Sequence, residues 1–184
     1  MATRTVQTFP ARVALEATRP DEAVKQNVTF ADGFVVKQGD VIGIITASKL
    51  ARRRSRTAAA GTGFAADSNT GQVVDAGVFV PGDVLKSEDG TTIGTVQSVD
   101  TTTTPDTVAL TGNAAVAVAS GDAVLGSDGS QAAQGISAAA NDGEDDTPAD
   151  AFIAGFLVAS LLRGLDASAI AELGGAVLLS VFKF

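Results

Sequence analysis

Apolar runs in this 184-residue chain are short, and glycine stops most of them. Val28-Thr29-Phe30, Phe34-Val35-Val36 and Val41-Ile42-Gly43-Ile44-Ile45-Thr46 are β-branched or aromatic. Asp32-Gly33 and Gln38-Gly39-Asp40 separate them, which is the pattern of strands joined by tight turns. A hairpin through Asp32-Gly33 is therefore expected. The phrase Gly-Asp-Val-Ile or Gly-Asp-Val-Leu occurs at 39–42 and 82–85, and a looser copy, Gly-Asp-Ala-Val-Leu, at 121–125. Each follows a valine-rich run, so a recurring hairpin is expected in which Gly and Asp turn the chain and the aliphatics enter a sheet. The spacing of the copies is uneven and does not by itself establish a repeat array.

Residues 78–126 read as a self-contained unit. Turns at Pro81-Gly82-Asp83 and Glu88-Asp89-Gly90, the run Thr92–Val99, a Thr-rich linker 101–105, and the segments 107–110 and 115–119 suggest about five short strands, the size of a small β-barrel. Residues 1–27 read as an extended arm, with one short alternating stretch, Thr5–Phe9, that needs a partner edge. Residues 47–63 lose hydrophobic periodicity and read as an exposed loop holding Lys49, Arg52, Arg53, Arg54 and Arg56.

The apolar stretch Ala151–Leu162 suits a buried strand or a buried helix, and periodicity does not separate the two. The β character of the preceding segment favours the strand. Asp166–Gly175 reads as one short helix, capped by Asp166 or Ser168 and stopped by the glycine pair. A last strand over 176–184 ends in Phe182-Lys183-Phe184, hydrophobic enough to require burial in the fold or at a subunit contact. The expected fold is mainly β with one or two short helices. It is a small β-barrel or β-sandwich-like core (28–77 and 127–184) carrying an inserted small β module (78–126) and the N-terminal arm.

The chain contains no histidine, cysteine, tryptophan or tyrosine. The usual general base, the thiolate nucleophile and the favoured soft metal ligand are all missing. Asp40, Asp83 and Asp122 follow turn glycines, where aspartate bonds its own backbone. The acidic loop 142–150 lacks the alternating spacing of a calcium loop. Gly61-Thr62-Gly63 is followed by no Lys-Ser or Lys-Thr, so it is not a phosphate loop. No catalytic residue, cofactor or metal is expected, and a hydrolase working with carboxylates alone is the enzymatic alternative.

Net charge is −8, with 21 acidic against 13 basic residues, which disfavours nucleic acid. The basic run 49–56 has no aromatic neighbour to stack on bases. Its reading is contact with an acidic protein surface or exposure to solvent, and a pairing with the acidic loop across a subunit boundary would help set register. No stretch approaches the ~20 apolar residues of a membrane span, and the first residues carry no signal-peptide core. Synthesis as a soluble protein in the cytoplasm is expected.

The arm, the turn Lys37-Gln38-Gly39-Asp40, the strand Val41–Thr46 with Ala47-Ser48-Lys49, and Gln134-Gly135-Ile136-Ser137 together resemble the lambda-type head decoration (cement) proteins of tailed bacteriophages. Leu162-Arg163-Gly164-Leu165-Asp166 and the closing Phe182-Lys183-Phe184 are also similar to phage structural proteins. The likeness covers roughly 1–60 and 128–184, while the module at 78–126 and the basic loop depart from the family. It implies a structural virion protein, made in the host cytoplasm, that sits on the outer capsid surface as a homotrimer and braces neighbouring capsomers. Thr3, Arg4, Thr5, Val6, Gln7, Thr8 and Phe9 would add a strand to the major capsid protein. Lys49, Arg52, Arg53, Arg54, Arg56, Phe182 and Phe184 would make capsid or subunit contacts. Another β-rich virion component, a tail-tube or adaptor subunit, is the alternative.

Overall fold

The computed structural model describes residues 24–144, 146–158, 161–174 and 177–180. Its strands, in chain order, are β1 (Val24–Phe30), β2 (Val41–Ile44), β3 (Ala51–Arg53), β4 (Arg56–Phe64), β5 (Thr70–Val73), β6 (Val84–Ser87), β7 (Thr92–Asp100), β8 (Asp106–Leu110), β9 (Ala123–Leu125), β10 (Gly135–Ser137), β11 (Thr147–Val158) and β12 (Val177–Ser180). A 3-10 turn covers Ala76–Val78 and one short helix, α1, covers Ala167–Glu172. The chain is mainly β, as its composition indicates.

Two lobes result. Strands β4-β5-β8-β7-β6-β9 form a closed antiparallel barrel. Phe64, Phe79, Leu85, Ile93, Val96, Val108, Leu110 and Val124, all within 3% of full burial or better, fill it. Closure leaves this lobe no open sheet edge. Its first and last strands pair with each other, Arg56 opposite Leu125, so the chain enters and leaves at one place. The host lobe is a six-stranded sheet, β1-β3-β2-β10-β11-β12, whose pairings return on themselves through β1 and β11. Its cores are built from Phe30, Val36, Ile42, Ile136, Phe152 and Leu157, and no barrel residue belongs to either.

The barrel runs from Arg56, so the boundary expected at 78 lies inside it: residues 56–77 supply two of its six strands. Of the apolar stretch at 151–162, residues 151–158 do form a strand, but β11 begins earlier, at Thr147, in what read as the acidic loop, while 161 and 162 lie beyond it. Asp166 does cap α1, accepting the Ala169 N–H at 2.6 Å. The expected strand at 34–36 is corrected. The turn at Gly33 exists, with φ of 81°, but Val36 makes only an isolated bridge to Asn141. The ladder partner of β1 is β11, from Phe30 opposite Thr147 to Val24 opposite Ala154. With Phe30 also held beside Ala51 of β3, β1 offers the 34–36 segment no edge. Residues 24–27, expected in the arm, already belong to β1. Likewise Val78–Val80 and Ala115–Ala119 form no strand, and only Val118 bridges, to Phe64.

The three Gly-Asp phrases share one geometry. The glycines have φ of 88°, 96° and 94° at 39, 82 and 121, the left-handed region that favours glycine. Each aspartate N–H donates to the carbonyl three residues back, on Lys37, Val80 and Ala119. Each carboxylate accepts the N–H of that same residue, at 2.7, 3.0 and 3.3 Å. One residue of a neighbouring strand completes each turn: Ser137, Val96 and Ala59 accept from the glycine N–H and donate to the aspartate carbonyl. One copy lies in the host lobe and two in the barrel, and each launches a strand (β2, β6, β9).

Candidate functional site at the junction of the lobes

The basic run is not an exposed loop. It supplies β3 and the start of β4, and Arg52 and Arg54 are buried, 1% and 3% exposed. Hydrophobic period was absent because the inward positions carry arginine, alanine and glycine. Burying a guanidinium demands acceptors for its N–H groups, and the junction provides them for Arg52 except at Nε, which has no partner among the described residues.

Arg52 reaches from the host lobe into the barrel. Its Nη1 and Nη2 donate to the two oxygens of Asp83 at 3.1 and 2.9 Å, a bidentate fork. Nη1 also donates to Asp128 at 2.9 Å and Nη2 to the Val78 carbonyl at 2.6 Å. The guanidinium stacks on Phe34, 3.9 Å from the ring centre. Arg53, its neighbour on the opposite face of the strand, pairs with Asp75 of the barrel and Asp40 of the host lobe. Arg54 donates to the Gln131 carbonyl and grips α1 through Asp166 (2.8 Å) and Glu172 (2.9 Å). Arg56 joins Asp166 to Glu88, at 3.2 and 2.8 Å. Four arginines within five residues thus hold Asp40, Asp75, Asp83, Glu88, Asp128, Asp166 and Glu172.

Backbone packing at the crossing is equally close. Gly126 N–H donates to the Ser55 carbonyl at 2.7 Å and Ser55 N–H to that of Ser130 at 3.2 Å. The Ser55 and Ser130 hydroxyls, both fully buried, lie 2.8 Å apart. A Cβ at Gly43 would stand 2.0 Å from the Ser130 carbonyl oxygen, so only glycine fits there.

Charge states follow from these contacts. Burial opposes ionisation of Asp128, but hydrogen bonds from the Ser130 hydroxyl and N–H, with Arg52, outweigh it and hold its carboxyl below the usual range. Asp166 is lowered in the same way: burial opposes, and the Ala169 N–H, Arg54 and Arg56 prevail. Asp40 is raised, because burial exceeds the help of the Lys37 N–H, Arg53 and Arg163; its Oδ1 has no hydrogen-bond partner among the described residues.

Of the residues singled out in the sequence, the structure brings Arg52, Arg53, Arg54 and Arg56 together at the junction. Lys49 lies apart in the β2–β3 turn, exposed, with φ of 64°. Thr3–Phe9, Phe182 and Phe184 lie outside the described residues. The acidic partners were not singled out as a set, since Asp83 and Asp40 read as turn formers, which they also are. A dense arginine run in a net acidic chain was the available signal. Among the described residues no three acidic side chains converge to hold a metal ion, and no helix is long and apolar enough to cross a membrane. No protein-family model, curated protein or solved structure matches this chain.

Proposed function

We propose that this protein is a structural virion component of the head-decoration kind. It binds the outer surface of an icosahedral bacteriophage capsid and braces neighbouring capsomers. The observation that carries the reading is the arginine clasp. Two independently cored β lobes are fastened by Arg52, Arg53 and Arg56, with Arg54 fixing helix α1 beside them, which suits a part that transmits load between two contact faces. The resemblance of the segments around Lys37–Lys49 and Gln134–Ser137 to decoration proteins supports the same conclusion.

In this reading residues Thr3–Phe9 add a strand to the major capsid protein, so that backbone hydrogen bonds supply attachment. Copies arranged as homotrimers reinforce one another through multivalency. No cofactor or catalytic group takes part. Electron microscopy of the protein mixed with purified expanded shells tests it: density at symmetric surface positions is expected, weakened by deletion of residues 1–10. Shells that stay bare, or rings and tubes formed without any shell, would replace it with the tail-tube or adaptor reading.

A further inference from the structure

Two hollows of ≈ 420 and ≈ 580 Å³ open between the lobes and share Arg53, Asp75 and Arg163 in their walls. They form one groove along the junction. Arg53 is satisfied there by Asp75 and Asp40, and Asp106 also lines the wall. Lys37 and Arg163 are exposed and join no close ion pair among the described residues, although Arg163 lies near enough to Asp40 to favour its charged form. Arg163 is the exception among the described arginines, since the other four are all paired. Val35 and Val74, 54% and 65% exposed, add apolar surface, one in each hollow.

The complementary half lies on the same chain. Asp142, Glu144 and Asp146 are exposed, and none has a cationic partner among the described residues. Their loop stands against the groove wall: the Gly33 N–H donates to the Gly143 carbonyl at 2.9 Å, and a Cβ on Gly143 would lie 3.0 Å from the Phe34 backbone. Exposed cations without a close ion-pair partner in a groove and exposed carboxylates without one on a loop are complementary between copies.

We propose that this groove is where copies of the chain meet. The acidic loop of one copy seats in the groove of the next, Asp142 and Glu144 face Lys37 and Arg163, and Val35 and Val74 are covered. This deepens the self-association part of the function proposed above and rests on it. The arginine run, which the sequence offered for this role, is replaced by Lys37 and Arg163.

Sedimentation velocity of the full chain tests the interface with no shell present, so failure to bind capsids and failure to self-associate remain separate results. An assembly larger than a monomer is expected at low salt, dissociating as salt screens the pairs. Combining Lys37→Glu with Arg163→Glu, or Asp142→Lys with Glu144→Lys, is expected to weaken association by at least about tenfold. The chain carrying all four changes is expected to assemble again. Lys37→Glu combined with Glu144→Lys repeats the rescue with one change on each side, should the fourfold variant fail to fold. A wild-type monomer at every concentration, reversals without effect, or folded swapped variants that stay monomeric would each overturn the proposal.

Discussion

Asp40 and Asp83 occupy the same position of the same turn, one in each lobe, and adjacent arginines of β3 hold them both. Arg53 lies 3.3 Å from Asp40 within the host lobe, while Arg52 crosses to take Asp83 at 2.9 Å. Each carboxylate thereby serves twice, fixing its own turn and anchoring the joint.

Removing Arg52 strands Asp83 and Asp128 beside a buried space. Arg52→Ala is expected to lower stability by about 3–5 kcal/mol, the usual cost of breaking a buried pair from one side. Urea unfolding followed by circular dichroism measures it, and a loss below about 1 kcal/mol would mean that water replaces the guanidinium at little cost.

Gly43 and Gly112 make a matched pair. A Cβ at 43 meets the Ser130 carbonyl at 2.0 Å, whereas at 112 it meets nothing within 4 Å. Gly43→Ala is expected to destabilise by about 1–3 kcal/mol through overpacking. Gly112→Ala is expected to leave the melting temperature nearly unchanged.

Acid should loosen the joint. The carboxyls of Asp128 and Asp166 are held below their ordinary value, so they stabilise the fold above the unfolded aspartate value of about 3.9, and that share is lost as pH falls toward the folded values. Asp40 works in the opposite sense. Its value is raised, so its contribution declines as pH climbs from the unfolded value through the folded one. Unfolding free energy measured against pH should fall steeply on the acid side, and Asp128→Asn should flatten that fall. Asp40→Asn should remove the decline on the rising side.

The barrel should survive alone. Its core draws only on residues 59–124, and its terminal strands pair with each other. A fragment spanning Arg56–Leu125 is expected to unfold cooperatively with native strand content, by circular dichroism and amide exchange. An unstructured fragment would show that the clasp is needed to form the barrel.

Much of the local structure was legible. Val41–Ile44, Val84–Ser87, Thr92–Asp100 and the 151–158 part of β11 carry β-branched or apolar residues, and Asp166 announces α1, whereas Thr147–Asp150 read as part of an acidic loop. The Gly-Asp pairs marked all three turns, and their glycines do adopt positive φ. What escaped was decided at long range. β4 reads Arg-Thr-Ala-Ala-Ala-Gly-Thr-Gly-Phe, with too little apolar contrast to declare a strand, and it exists because β5 and β9 flank it. Phe34-Val35-Val36 shows the converse: good strand composition with no edge left to join. The joint itself could not be read, because the acids that neutralise the arginines are scattered from Asp40 to Glu172.

The nested connectivity also fixes an order of events. β1 must wait for β11, its partner more than a hundred positions downstream, while every strand of the barrel finds its neighbours within the intervening stretch. A ribosome releasing this chain would therefore deliver a finished inner lobe before the outer one can close around its own ends. The slowest step in maturation is then the return of β10 and β11 to strands already waiting, and variants that delay it would leave β1 exposed to association with other molecules.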